Sequence, residues 1–376
     1  MRVLHLADTH LGYSAYRKTT EEGINQREVD VYNAFTQSID YAVKTKPDLV
    51  LHAGDLFDSV RPTNRAITVA LQQILRLSKE NIPFIVISGN HETPKLRETG
   101  NIFTIFEHLA HVYPIHDNQY ETISLQTKNE TVVIHAIPQC QSPKEFDVNF
   151  KKITLDKKAD YNLLIAHGAV AGIKEFKMNE FNELFIPVKN IQQNFDYIAL
   201  GHYHMYTKLQ ENAFYAGSIE HLSFTEASNS KGFLEIDLGQ KVKHKFIPVN
   251  TRIMMDVSPL DCSTLSAEQI MKKIKETILS IEPKDKIIRI RLENVPLHVH
   301  RGIDFHQLRI LSKTAVHFEI KSTSMKTDEP SLAEGFTMTS LADEFKRFLN
   351  TRQVPEKEML LKLGLSYIHK IEEHDD

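Results

Sequence analysis

Five short apolar runs each end in side chains that can hold a metal ion or move a proton. Val3 to Ala7 leads into Asp8-Thr9-His10, and Asp48 to Ala53 into Gly54-Asp55. Phe84 to Ser88 leads into Gly89-Asn90-His91-Glu92, Asn162 to Ala166 into His167-Gly168, and Tyr197 to Leu200 into Gly201-His202-Tyr203-His204. The set holds two carboxylates, one amide and four or five imidazoles, without a thiolate. Such oxygen and nitrogen donors suit manganese, iron or zinc better than copper, and magnesium less because of the many imidazoles. Seven ligands are too many for one ion, but with one carboxylate bridging they fill two sites. Two ions roughly 3.5–4 Å apart clamp the attacking and leaving oxygens of an in-line displacement at phosphorus. Two dications against Asp8 and Asp55 leave a surplus of two positive charges, which a hydroxide and a phosphodiester oxygen would balance.

The runs read as buried strands. Between the early ones, Tyr32 to Val43 and Ala66 to Leu77 carry apolar residues three and four apart, as helices do. The first 250 residues therefore predict a layered α/β domain, a class in which ligands bind beyond the carboxyl ends of the strands. Asp8 and His10, like His202 and His204, are two apart, so in an extended segment both side chains point the same way. Each fragment alone is an ordinary strand end. The five together, in this order, predict a dinuclear metal site.

Composition narrows the rest. The 376 residues suggest two or three domains, and 41% apolar with 25% charged residues suffices for a packed core. Lys and Arg number 45 against 49 Asp and Glu, a net charge of −4 that excludes a protein coating nucleic acid by bulk attraction. Only Cys140 and Cys262 are present, which excludes a disulfide framework and predicts a reducing compartment. Asp8 interrupts the first apolar run too early for a signal peptide, and no run approaches a membrane span, so a cytoplasmic protein is expected, nucleoid-associated in a prokaryote. The 19 histidines are the odd feature, and composition alone does not say what they do.

Near Thr251 the pattern changes. Strands are predicted at Arg252 to Val257, Lys286 to Leu292 and Val316 to Lys321, with helices at Ser266 to Ile281 and Phe305 to Ser312. Ser322 to Leu332 reads as a linker. A helical hairpin follows, with a capping box at Ser340 and Asp343, an apolar face of Leu341, Phe345, Phe348 and Leu349, and Pro355 opening the second helix ahead of Leu360, Leu361, Leu365 and Ile368. The expected domains are 1–250, a small α+β module at 251–325, and a linker with hairpin at 326–376. A hairpin this short cannot bury both faces, so it should pack on another surface.

Asp8-x-His10, Gly54-Asp55, Gly89-Asn90-His91-Glu92, His167 and Gly201-His202-x-His204 resemble the calcineurin-like metallophosphoesterase signature. The flanking text Ala7-Asp8-Thr9-His10-Leu11-Gly12-Tyr13, Gly54-Asp55-Leu56-Phe57-Asp58 with Arg61-Pro62, and Tyr215-Ala216-Gly217-Ser218 resembles the Mre-eleven/SbcD family of double-strand-break repair nucleases. The likeness is close to about residue 225 and rests on layout beyond. It implies a layered β-sandwich flanked by helices, with a capping, DNA-binding α+β domain and a C-terminal helical hairpin. It further implies one metal on Asp8, His10, Asp55 and His204, and a second on Asp55, Asn90, His167 and His202, two manganese ions with magnesium or another divalent ion as the alternative. A metal-activated hydroxide would be the nucleophile, and His91 would face the scissile phosphate. The implied activity is a 3'-5' exonuclease on duplex DNA and an endonuclease on single strands, working as a homodimer with a coiled-coil ABC-type ATPase docked on the Leu341 to Ile371 hairpin. Two positions depart from the family: Asp58 stands where many members have histidine, which bears on the exonuclease balance, and Glu92 where many have aspartate.

The residues point to local phosphate contact as well. Tyr13, Tyr16, Arg17 and Lys18, then Arg61 and Arg65, Lys95 and Arg97, and Lys174 and Lys177 follow the ligands in sequence and would ring the metals. His298, His300 and His306 lack a carboxylate or glycine frame and read as a solvent-facing loop. His5 and His52 read as satisfied core histidines. Leu71 to Leu77 and Ile102 to Leu109 read as core helices, and the resemblance implies a dimer contact there. Two rivals remain: a phosphomonoesterase or cyclic-nucleotide phosphodiesterase on the same site, and a non-catalytic scaffold on the same fold, against which the filled ligand positions argue.

Overall fold

β1 (Arg2–Leu6) shows how the sequence builds layers. Val3 faces the core between two sheets while Leu4 and Leu6 face the core under the helices, the period-two alternation of a strand covered on both sides. The computed structural model describes residues 1–127, 130–170, 183–191, 194–324, 341–350 and 357–372. The strands that follow are β2 (Leu49–His52), β3 (Phe84–Ile87), β4 (Val112–Ile115), β5 (Glu121–Thr127), β6 (Glu130–Ile137), β7 (Tyr161–His167), the short pair β8 (Ala169–Val170) and β9 (Phe185–Ile186), then β10 (Tyr197–Gly201), β11 (Thr207–Gln210), β12 (Ala213–Tyr215), β13 (Gly232–Asp237) and β14 (Lys243–Pro248).

They form two six-stranded sheets, ordered β14-β13-β1-β2-β3-β4 and β11-β12-β10-β7-β6-β5. In the first, β1 to β4 run parallel, closed on one side by antiparallel β13. In the second, β6, β7, β10 and β12 run parallel between antiparallel edges. Val3, Leu51, Ile85 and Ile87 meet Ile134, Leu163, Ile165 and Tyr197 between the sheets.

α1 (Gln26–Thr45) and α2 (Asn64–Lys79) cover the first sheet. Asn25 and Thr63 cap them, their side chains accepting from Arg27 N and Ala66 N, and Ala66, Ala70, Ile74 and Leu77 form the buried stripe of α2. α3 (Pro143–Lys151) and α4 (Val188–Ile191) cover the second sheet through Phe146, Phe150 and Ile191. The expected helix at Ile102 to Leu109 is instead a 3-10 turn, Ile102–Phe106. Asn101 caps it, and a three-residue repeat puts Phe103 and Phe106 on one side, where both meet Phe57 in the core.

The small module is a three-stranded sheet of β15 (Met254–Asp261), β16 (Ile287–Val295) and β17 (His317–Ser324), with α5 (Ala267–Ile281), α6 (Leu297–His300) and α7 (Phe305–Leu311). Ser266 and Gln269 close a capping box on α5, and Ile270, Ile274 and Ile278 bury its stripe. β15 begins two residues later than expected, because the Arg252 guanidinium is held by both oxygens of Asp30 at 2.6 Å and by the Asp285 carbonyl. β17 takes in Ser322–Ser324, which the sequence assigns to a linker, and the rest of that stretch lies outside the described residues.

This module belongs to one compact unit, Met1–Thr323. Besides the Arg252–Asp30 pair, Phe224 packs with Met254, Ile287 and Val316, Arg289 lies 4.4 Å over the Phe224 ring, and Tyr16 stacks on His317 at 3.8 Å, tying the module to the body. The second unit, Ser324–Asp376, holds α8 (Leu341–Asn350) and α9 (Lys357–Glu372), which pack on each other with Phe345 against Gly364. The capping box expected at Ser340 and the start expected at Pro355 lie outside the described residues. No described helix is long and apolar enough to cross a membrane.

Candidate metal centre

At the rim the chain must leave five strands and turn their next side chains inward. It does so with left-handed backbone at Asp8 (φ 50°), His10 (φ 52°), Asp55 (φ 55°) and His202 (φ 102°). Each such non-glycine residue costs on the order of 1–2 kcal/mol, sustained only where the surroundings enforce it. Backbone bonds between the first two strand ends do so: Asp8 N to Gly54 O and His10 N to Asp55 O, both 3.0 Å. Gly89 is required by closeness, since a Cβ there would lie 2.2 Å from Asp55 Oδ1. Glu92, fully buried, fixes the next turn by accepting from Gly89 N at 2.9 Å and Leu56 N at 3.3 Å.

Eight of the predicted residues meet at this rim. Asp8, His10 and His204 form one group of potential ligand atoms within 4.8 Å of one another; His10, Asp55 and His91 form a second, and Asp8, Asp55 and His167 a third. Asp55 Oδ2 lies between the groups, 3.8 Å from His10 Nε2 and 3.3 Å from His167 Nε2. Asn90 Oδ1 reaches His167 Nε2 at 2.9 Å and His202 Nδ1 at 3.2 Å. The second sheet is pinned to the first by His202 N, which donates to Asp8 Oδ1 at 2.9 Å.

Every imidazole in this set has its outer nitrogen engaged. His10 Nδ1 is 3.2 Å from Asp58 Oδ1, His167 Nδ1 2.8 Å from the Ala53 carbonyl, and His204 Nδ1 3.2 Å from Glu226 Oε1. These three turn Nε2 inward. His202 is reversed, with Nε2 on Glu183 Oε1 at 3.2 Å and Nδ1 inward. An acceptor on one nitrogen fixes the tautomer and leaves the other as a lone-pair donor, the arrangement that metal-binding histidines need.

The donor set fits divalent cations. Asp8 Oδ2 and Asp55 Oδ2 are buried without a hydrogen-bond partner, which is costly for carboxylates unless a cation meets them. The inward nitrogens of His10 and His204 face each other at 3.2 Å, a distance at which two lone pairs repel unless a proton or an ion sits with them. Burial raises the Asp8 carboxyl above its usual range. Burial pushes Asp55 the same way, but His167, His91 and His10 outweigh it and hold it well below. Burial disfavours a charged His167, yet Asp55 and Asp8 outweigh it and raise it to about 9.

His91 joins His10 and Asp55 in one of these groups but stands at its more open side. Its ring meets His10 edge-on at 4.5 Å, its side chain is 30% exposed, and its Nδ1 lies 3.1 Å from the Asp58 carbonyl. Any proton it hands to a substrate therefore comes from Nε2.

The predicted DNA contacts divide. Arg17, Lys18, Arg61 and Lys95 are exposed, and Arg65 pairs with Glu28 at 3.2 Å. Tyr13 is turned into the protein, its hydroxyl donating to the Leu222 carbonyl at 2.6 Å, and Tyr16 spends one face on His317. The Arg97 side chain, Lys174 and Lys177 lie outside the described residues. His5 Nδ1 meets the Tyr197 hydroxyl at 2.9 Å across the two sheets, and His52 Nε2 meets Thr9 Oγ1 at 2.7 Å behind the ligands. Sequence reasoning missed Glu183 and Glu226. A lone glutamate in a loop carries no spacing rule, and only the Tyr215-Ala216-Gly217-Ser218 motif stood near Glu226 as a signal.

A family model for calcineurin-like phosphoesterases matches residues 1–206. Three relatives bear the same printed name, DNA double-strand break repair protein Mre11. The protein of Sulfolobus acidocaldarius is 28% identical over 363 residues, covering 93% of this chain and 90% of its own. That of Methanococcus maripaludis is 32% identical over 253 residues, 63% of each chain. That of Thermoplasma acidophilum is 26% identical over 363 residues, covering 89% of this chain and 88% of its own. The match spans the strand ends that carry all seven candidate ligands, from Asp8 to His204, and the chain belongs to the calcineurin-like phosphoesterase family of metal-dependent hydrolases.

Proposed function

We propose that this chain is a manganese-dependent DNA nuclease, exonucleolytic on duplex ends and endonucleolytic on single strands, that prepares broken DNA for repair. The observation that carries this reading is the convergence of Asp8, His10, Asp55, Asn90, His167, His202 and His204 at one rim, on a chain similar over most of its length to Mre11 proteins. Asp8, His10, Asp55 and His204 would hold one ion, and Asp55, Asn90, His167 and His202 the other. Bound there, the ions would supply Lewis acidity that favours attack of water on phosphorus. Asp55 is suited to the shared position because its Oδ2 lies between His10 and His167. His91, held through Nδ1, would offer Nε2–H to the departing oxygen or to the charge gathering on the phosphoryl group. Asp58 acts behind His10 rather than on substrate, which bears on the exonuclease balance that a histidine at this position serves in many family members.

The exposed Arg17, Lys18, Arg61 and Lys95 would contact the DNA backbone. The 251–325 module would cap the DNA. The hairpin would dock a coiled-coil ABC-type ATPase, a reading supported by the exposed Met359, Leu360, Leu363 and Tyr367 on α9. A homodimer through the region of α2 and the Ile102–Phe106 turn completes the proposed assembly, working in the cytoplasm.

Purified protein, assayed on labelled duplex and single-stranded DNA with manganese, magnesium or chelator, should cut with manganese and fall silent with chelator. Cleavage of small phosphate esters without cleavage of DNA would move the substrate to another phosphoesterase class. Deleting residues after Thr337 should abolish co-purification with the ATPase and spare manganese-dependent cleavage; retained co-purification would sink the docking claim.

A further inference from the structure

Behind His204 lies a second charged group that the reaction as described does not use. The turn Phe224–Glu226 carries Glu226 under the imidazole, where Oε1 accepts from His204 Nδ1 at 3.2 Å and from Ser223 Oγ at 3.2 Å. Its other oxygen, Oε2, accepts from Leu222 N at 3.2 Å and from Lys231 Nζ at 2.5 Å. Lys231 is fully enclosed along its side chain and uses all three ammonium hydrogens: one on Glu226, one on Ser218 Oγ at 2.7 Å, one on the His204 carbonyl at 2.9 Å. The lysine thus grips both the backbone of His204 and the carboxylate that holds its ring.

The local chain is shaped for this. Gly217 (φ 79°) brings its backbone so close to the His204–Tyr206 segment that a Cβ would lie 2.7 Å from Tyr206 N, and Ser218 follows at once with its hydroxyl on the lysine. That accounts for the Gly217-Ser218 pair of the sequence motif. A buried ion pair that satisfies every donor and acceptor is seldom worth much to stability, since apolar residues of the same volume serve as well or better. What it does provide is a fixed orientation.

We propose that Glu226, clamped by Lys231, is a positioning residue for metal binding: it locks His204 as the Nδ1–H tautomer and aims Nε2 at the ion shared with Asp8 and His10. The proposal rests on the dinuclear reading of the rim. Loss of such a carboxylate behind a ligating histidine lowers metal affinity by about 10–100-fold, and here the loss should fall on one of two sites. The other three ligating histidines keep their own partners, Asp58, Glu183 and the Ala53 carbonyl.

The test is a calorimetric titration of Mn2+ alone into the full chain, its Glu226→Gln variant and the double variant Glu226→Gln/Lys231→Met, which removes both charges together and leaves no unpaired ion buried. The parent is expected to take up two ions. Both variants should bind one of them about 10–100-fold more weakly, with a shift in the visible bands of the Co2+ form; the single variant should melt earlier because Lys231 is left unpaired, while the metal-free double variant should melt little changed. Unchanged affinity at both sites overturns the proposal. So does a loss of affinity in the double variant that comes with earlier melting and unshifted cobalt bands, which marks a merely structural role. A parent that takes up no Mn2+ instead overturns the dinuclear reading itself, whatever the variants do.

Discussion

Histidines gather at two places in this chain, and the residue type is the only thing the places share. At the strand ends, His10, His167, His202 and His204 each have one nitrogen fixed by an acceptor and the other turned toward buried carboxylates or Asn90. In the small module His300 bonds the Ser322 hydroxyl at 3.0 Å and leans on Phe305, and none of His298, His300 and His306 joins a group of potential ligands among the described residues. The first set has been desolvated, oriented and given anionic company. The second lies on two short helices, α6 and α7, where the sequence predicted a loop, and water can serve it there. A histidine becomes a ligand through its surroundings, and those are laid down by strand ends that face one another.

The hardest blow to the contrast is Asp55→Ala, which removes the carboxylate lying between His10 and His167. Cleavage of DNA should fall by on the order of 10³-fold or more, about 4 kcal/mol of barrier, with manganese uptake impaired in the same titration. A variant that kept either property would show that the rim does not work as one unit. His91→Ala should separate holding from chemistry: a loss of about 10²–10⁴-fold in turnover, the range for a positioned proton donor, with manganese affinity preserved. Parental turnover would end the role given to His91.

Metal removal tests whether the strand-end set is held together by the ions it attracts. Manganese at 100 times its dissociation constant should stabilise the native state by about 2.7 kcal/mol per site, raising the melting temperature, and chelator should reverse it. Equal melting in both conditions would place the ions elsewhere. Acid sharpens the picture differently, through His5 and His52, which touch no ligand directly. Burial lowers both to about 3 from the ordinary 6.5. A lowered folded value means that the neutral form is what folding stabilises. The contribution is complete above pH 6.5 and drains away as pH falls toward 3, at about 1.4 kcal/mol per pH unit for each ring. Urea unfolding at pH 6.5 and 5 should show His5→Gln flattening that slope by one such increment; an unchanged slope would refute the burial argument. The smallest effect belongs to His300→Ala, expected within about 0.5 kcal/mol in stability and without consequence for manganese binding.

The site was more legible in the sequence than the body that supports it. Asp8, His10, Asp55, Asn90, His167, His202 and His204 stand beside glycines at the ends of apolar runs, and position along a strand determines where such residues must meet. Glu183 and Glu226 act through space, from loops whose course depends on packing that no local pattern encodes. The same limit explains Ile102–Phe106, where two phenylalanines three apart fit either an α-helix or a 3-10 turn until Phe57 decides. Tyr16 is a further case: a tyrosine in a loop after a ligand suits DNA, yet here it stacks on His317, more than three hundred positions away.

The left-handed turns at Asp8, His10, Asp55 and His202 have a bearing on descent as well as on mechanism. Each holds the chain in a shape that its own side chain disfavours, so the same positions would be happier as glycine or asparagine once nothing needed to be held there. A lineage that gave up catalysis would gain stability at these very residues and should drift away from them first. At these four positions the rim, rather than the local sequence, sets the backbone.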